Sequence, residues 1–211
     1  MKISLLFLLL SIKPLFSAEL YGQVKSIHDG DTLTMVTDTG ERKKVRLIGI
    51  DTPEVSFNGH SQGEIALVAR DTLRTLIPIG SRILVDVEDY SLHHSRQLGT
   101  IFFDGKNINL TLVEMGVAAP YIIAPFDKSL THDYLEAAKI AFENQEGFLF
   151  NEEVMPYEFR MIVQGRKGTN YVGNKETKEL FYPDQVESVP FYQRIFFRSY
   201  EYALERGYFL P

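Results

Sequence analysis

The stretch Val45 to Glu54, reading Val-Arg-Leu-Ile-Gly-Ile-Asp-Thr-Pro-Glu, constrains this chain more than any other. It is an apolar strand that carries a single arginine, Arg46, and breaks at Thr52-Pro53 between two carboxylates, Asp51 and Glu54. A strand buried for packing has no need of an arginine followed by two acids. Pro53 fixes its own backbone and holds Thr52 extended, so both acids sit on a stiff corner suited to groups that must keep their position. Upstream, Asp29-Gly30-Asp31-Thr32 lies between two alternating runs and predicts a tight hairpin. That hairpin would carry Asp31 to the end of the Arg46 strand.

Strands are expected at Leu20–Ile27, Leu33–Val36, Val45–Ile50, Ile83–Val87 and Gly99–Phe103, each a short run rich in Val, Ile, Leu and Phe. A helix is expected over Gln62–Ile77, with Ile65, Val68, Thr72 and Leu76 on its apolar face, ended by Pro78. A second helix spans Asn107–Met115 and stops at Gly116. A third, Thr131–Gln145, buries Leu135, Ala138 and Phe142. Five strands with an interposed helix predict an α+β chain: a five-stranded OB-fold β-barrel with about three helices, followed by a small C-terminal aromatic-rich module.

Four motifs in order resemble the staphylococcal (micrococcal) nuclease, or thermonuclease, family. They are Asp29-Gly30-Asp31-Thr32, Arg46 to Glu54, Arg96-Gln97-Leu98-Gly99, and Asn109-Leu110-Thr111-Leu112-Val113-Glu114-Met115-Gly116-Val117-Ala118. The likeness runs from about Leu20 to Phe150. It implies a calcium-dependent phosphodiesterase acting on DNA and RNA, with in-line attack, release of the 5′ oxygen and a 3′-phosphate product. Calcium would be held by Asp31, Asp51 and the Thr52 carbonyl, as the resemblance implies.

The residue types suit that chemistry. Asp31 and Asp51 offer the hard oxygens a calcium ion takes. Glu54 would position or deprotonate the attacking water, a role that typically contributes about 10²–10⁴-fold. Arg46 and Arg96 carry planar forks that match phosphate oxygens and stabilise charge growing in the transition state. Asp29 is read as a turn-former. His28, His60, His93, His94 and His132 lack zinc-ligand spacing and are read as surface or loop residues. Tyr121 lines the nucleotide cleft or packs in the core. Asn109-Leu110-Thr111 fits a glycosylation pattern but falls inside an expected helix, so it is set aside.

The net charge of −6 is the wrong sign for bulk attraction to phosphates. A basic cleft on an acidic chain remains compatible with it. The absence of cysteine excludes a disulfide framework and thiolate metal sites. Residues 1–18 place Lys2 before the apolar run Ile3–Ile12 and read as a secretory signal peptide, too short for a comfortable membrane span. The expected location is secreted or periplasmic, with an uncleaved N-terminal anchor as the lesser reading and no membrane span after cleavage.

Residues 19–150 are read as the nuclease-like domain and 151–211 as a separate small module. The module holds half of the chain's Phe and Tyr residues. It resembles an Ada-type metal-binding appendage that has lost its ligands, Phe181 and Gln185 standing where ligands belong. With no cysteine, and no histidine after His132, it is expected to fold without metal through aromatic burial. It is expected to pack against the barrel away from the Asp31–Asp51 cleft. DNA and RNA are the expected partners, as substrates, and no stable protein partner is foreseen. The competing reading is a catalytically silent OB-fold module of the cell envelope that binds nucleic acid or protein. Silent relatives usually lose part of the Asp31, Arg46, Asp51, Glu54 and Arg96 set.

Overall fold

The computed structural model describes residues 18–88, 96–151 and 154–211. The signal-peptide reading of residues 1–18 lies almost wholly outside them, as do His93 and His94. Among the described residues no helix is long and apolar enough to cross a membrane.

Five strands close a barrel: β1 (Ala18–Asp29), β2 (Thr32–Thr37), β3 (Arg42–Leu47), β5 (Arg82–Val87) and β6 (Gln97–Phe103). They run in the order β3-β2-β1-β5-β6 with antiparallel neighbours, and β6 returns to pair with β3 in parallel. Closure removes the sheet edges. Alternation along each strand fills the interior with Val24, Leu33, Met35, Val45, Leu47, Ile83, Val85 and Ile101, all 0–1% exposed. The same alternation turns Arg46, between Val45 and Leu47, to the opposite face.

The run expected as one strand, Val45–Ile50, is two. Gly49 breaks it at φ +77°, where a Cβ would stand 2.7 Å from the rings of Phe126 and Tyr134. Past the break, β4 (Ile50–Asp51) leaves the barrel and pairs with β8 (Ala119–Pro120), Asp51 opposite Ala119.

Helix α1 (Glu64–Leu76) buries Ala66, Ala69 and Leu73, while Ile65 and Val68 face outward. The helix carries two apolar stripes, and contact distance decides between them. At Gly30 a Cβ would meet the Ala69 methyl at 2.8 Å, so only the small-residue stripe can lie against the β1–β2 hairpin. The short β7 (Lys106–Asn107) pairs with the end of β6 and leads into α2 (Ile108–Glu114), capped by the Asn107 side chain. Helix α3 (Lys128–Glu143) begins three residues earlier than its apolar period predicts, because Asp127 caps the Ser129 and Leu130 N–H groups. It buries Tyr134, Leu135, Ala138 and Ala141, with Phe142 half-buried.

After α4 (Pro156–Val163) comes a three-stranded sheet, β10 (Leu180–Phe181), β9 (Tyr171–Asn174) and β11 (Arg194–Phe197), followed by α5 (Tyr200–Glu205). Phe191, Phe196, Phe197 and Tyr208 are buried, whereas Tyr171 and Phe181 are half-buried. Phe191, Phe197 and Tyr208 belong to the same continuous apolar cluster as the barrel interior. Strand β11 is tied to the segment after β8: Phe196 N–H donates to the Ile122 carbonyl at 2.8 Å, and Ala124 N–H to the Phe196 carbonyl at 2.9 Å. This region does not keep clear of the Asp31–Asp51 cleft, because Arg160 of α4 reaches into it.

Candidate active site

Local chain geometry brings four of the expected groups together. The β1–β2 turn is the tight hairpin foreseen from the sequence, with Asp29 opposite Thr32 and Thr32 in turn opposite Arg46 of β3. Asp31 N–H donates to Asp29 Oδ1 at 3.3 Å, which agrees with a turn-forming Asp29. Leu47 N–H bonds the Asp31 carbonyl at 2.8 Å and locks the turn to β3. Across the Pro53 corner, Thr52 N–H donates to Asp31 Oδ2 at 2.9 Å. The Thr32 hydroxyl donates to Oδ1 at 3.0 Å.

Arg46 joins the two aspartates. Its Nη2 donates to Asp51 Oδ1 at 2.8 Å, and Nη1 forms a close ion pair with Asp31 Oδ2 rather than an aligned hydrogen bond. Asp51 is almost wholly buried, and its position is fixed by the β4–β8 pairing. Glu54 is held through its backbone by Gln62, whose Oε1 accepts from Glu54 N–H at 3.0 Å and whose own N–H donates to the Glu54 carbonyl at 3.0 Å.

Sequence reasoning missed Arg160. Its Nη1 and Nη2 each donate at 2.8 Å to Asp51, one to each oxygen, and Nη1 also donates to Glu54 Oε1 at 2.8 Å. The one available signal was compositional: Pro156–Val163 is an apolar helix with two charges in it, Glu158 and Arg160. Both prove to be paired, Glu158 with Arg194 at 2.7 Å. Gln62 was missed as well, and nothing in its surroundings marked it.

Arg96, just before β6, lines one cleft with Arg46, Gly49, Tyr121 and Arg198. The cavity holds about 220 Å³. Tyr121 lies between cleft and core. It lines this cleft, and its ring packs on Tyr157 at 5.5 Å and Phe196 at 4.9 Å, beneath the Arg160 guanidinium at 5.8 Å. Asn109 is fully buried, accepting from Ile101 N–H and donating to the Ile48 carbonyl at 2.9 Å, so it pins the end of β3 and is closed to glycosylation. His28 bonds Thr34, and His60 closes a turn with Phe57.

Burial raises the Asp31 carboxyl to about 6, with the Arg46 guanidinium pulling the other way and the Asp29 charge adding to the rise. Glu54 is raised by desolvation against the opposing Arg160. Relative to the unfolded chain, folded Asp31 keeps its proton to higher pH. Its ionisation therefore carries a stability cost, and this cost is absent below about pH 4 and fully felt above about 6. The melting temperature of the metal-free protein is expected to fall, relative to that of Asp31→Asn, as pH rises through this window. A difference between the two that stays flat from pH 4 to 7 would contradict the assignment.

The donor set suits a hard divalent cation. Asp31 and Asp51 are held on two arms of one guanidinium, and beside them the buried Thr52 hydroxyl has no hydrogen-bond partner. Three carboxylates face two guanidinium groups, leaving room for positive charge. Among the described residues no group of three or more carboxylate, imidazole or thiolate side chains is spaced to hold a metal alone. Main-chain oxygen and water must complete any shell.

The chain is thus a closed five-stranded OB-type barrel with an arginine-bridged aspartate pair at its end, a glutamate on the adjoining corner and a cationic cleft beside them. Comparison with known proteins gives its family. The staphylococcal nuclease homologue family matches residues 44–149. Endonuclease YhcR of Bacillus subtilis (strain 168) is 31% identical over 206 residues, which cover 92% of this chain and 17% of that protein. The likeness therefore runs well into residues 151–211. An uncharacterized endonuclease of Haemophilus influenzae is 31% identical over 144 residues, 65% of this chain and 71% of that one. Protein ParB of Escherichia coli is 33% identical over 113 residues, 49% of this chain and 59% of its own length. The chain belongs to the staphylococcal nuclease homologue family.

Proposed function

We propose that the chain is a secreted, calcium-dependent nuclease that hydrolyses phosphodiester bonds of DNA and RNA and leaves 3′-phosphate ends. One observation carries the reading: Arg46 bridges Asp31 and Asp51 at the edge of a cleft it shares with Arg96, with Glu54 on the adjoining corner. Two relatives named as endonucleases support it. Export rests on Lys2 and the Ile3–Ile12 run.

In this reading Asp31, Asp51 and the Thr52 carbonyl would hold calcium, which supplies Lewis-acid polarisation of a phosphate oxygen. The protein's own groups do the rest. Arg46 and Arg96 bind and orient the phosphate, and their planar forks stabilise charge that grows on its oxygens. Glu54, held by Gln62 and with its carboxyl raised by burial against the opposing Arg160, orients the attacking water and takes its proton. The silent-module reading draws on Arg160, which occupies both oxygens of Asp51.

The deciding assay is cleavage of labelled single-stranded DNA and RNA by the purified chain, with calcium and with chelator. Cleavage should require calcium, and Glu54→Gln should lower turnover by about 10²–10⁴-fold while the fold is kept. Equal cleavage in chelator would remove the metal from the reading. No cleavage under either condition would leave the silent module.

A further inference from the structure

We propose that residues 122–208 build a second binding groove, continuous with the active-site cleft, that takes the flanking nucleotides of a single-stranded substrate. The proposal rests on the nuclease reading for the identity of the strand, while its evidence is the distribution of charge and rings.

The groove encloses about 560 Å³ between the start of α3 and the C-terminal β-sheet. It shares Ala124, Pro125 and Phe126 with the active-site cleft, so a chain leaving one cavity crosses that ridge into the other. The cleft presents Arg46, Arg96 and Arg198, and the groove presents Lys128, Lys175, Lys178 and Arg206. Asp31, Asp51 and Glu54 adjoin the cleft but are paired with Arg46 and Arg160, and no other Asp or Glu among the described residues lines either cavity, in a chain with 28 acidic and 22 basic residues. A segregation of this kind on an acidic chain creates a local positive field that net charge conceals.

Pairing elsewhere is mixed: Lys43, Arg70, Arg74, Arg82 and Lys167 each face a carboxylate, whereas Lys25, Arg42, Lys44, Lys106, Lys139 and Arg166 have no such partner among the described residues and are scattered rather than gathered along one groove. None of the four groove cations, nor Arg198, has such a partner among the described residues. Two of them are held over rings, Lys178 Nζ 4.8 Å from the Tyr208 centroid and the Arg206 guanidinium 4.9 Å from that of Tyr202. Unpaired cations along a groove track a phosphate backbone. The half-buried rings of Phe126 and Tyr202 line the same groove and give it an aromatic wall. A duplex hides its base faces in its own stack, so such rings serve an unpaired strand.

The test is fluorescence anisotropy of the full chain with a labelled single-stranded oligonucleotide of about twelve nucleotides, within the usual span of such sites. Chelator is present, so that binding is read without cleavage. Lys178→Glu with Arg206→Glu should weaken binding at least about tenfold and lower the salt slope by about 1.4, because two cations no longer neutralise phosphates of a single strand. Lys25→Glu with Lys106→Glu makes the same change in net charge away from the groove and should stay within about twofold of the parent. Should the first pair fail to fold by circular dichroism, Lys128→Glu with Lys175→Glu replaces it. Unchanged binding in the groove variants, an equal loss in the control pair, or equal affinity for a duplex of the same sequence would each overturn the proposal. Failure of the nuclease reading is separate: it appears as absent cleavage in calcium, whatever the anisotropy reports.

Discussion

Replacing Arg46 by alanine is expected to lower kcat/KM for a single-stranded oligonucleotide by about 10³-fold or more, the scale set by transition-state guanidinium groups in phosphoryl transfer. Arg46 has two tasks. It lines the cleft where phosphate would lie, and it holds Asp31 and Asp51 on its two arms. Alanine removes both and leaves Asp31 buried without its counter-ion, so some destabilisation accompanies the loss. Arg46→Lys separates the two effects. A lysine restores one positive charge but cannot bridge two carboxylates in a plane or grip a phosphate with a fork. It should fold and melt above Arg46→Ala, because one counter-charge is kept, and still lose about 10²-fold in rate, the cost of one misplaced donor at a developing charge. Cleavage by Arg46→Ala within tenfold of the parent would mean that phosphate is held elsewhere.

What could be read from the sequence follows from how local each contact is. Asp31, Arg46, Asp51 and Glu54 lie within 24 consecutive residues, and a tight turn and two strand registers are enough to join them. The barrel was legible for the same reason: β-branched runs at short intervals leave little choice of topology. Helix α1 was harder, because both of its apolar stripes have the right period. Only the approach of Ala69 to Gly30 selects one, and that is a property of the folded pair. The break at Gly49 was hidden by the apolar residues around it, since the rings of Phe126 and Tyr134 that require it come much later in the chain. The basic groove was masked by composition. Its cations are dispersed from Lys128 to Arg206 in a chain of net charge −6, and the fold alone gathers them. Arg160 left the faintest trace of all, a charge in an apolar helix 109 residues beyond the aspartate it binds.

Removing that guanidinium should produce the largest change in stability. In Arg160→Gln, Asp51 loses the partner of both its oxygens and shares only Arg46 with Asp31, while Glu54 loses its counter-ion. Asp51 is 2% exposed, so water cannot take over. Breaking a buried ion pair from one side costs about 3–5 kcal/mol. For a chain of this size that lowers the melting temperature by roughly 10 °C. The same geometry sets the sign of a second effect. Two unit charges 4 Å apart at an effective dielectric of 20 interact by about 4 kcal/mol, and a divalent ion doubles that to about 8. A calcium ion on Asp51 is therefore repelled by Arg160, as it is by Arg46, and each weakens the other's hold on the carboxylate. Arg160→Gln should accordingly melt lower than the parent in chelator, bind calcium more tightly by calorimetry, and regain more stability when calcium is added. Calcium affinity in the variant equal to or below that of the parent would show that the ion and the guanidinium occupy separate places, and the link between α4 and the proposed calcium site would fall with it.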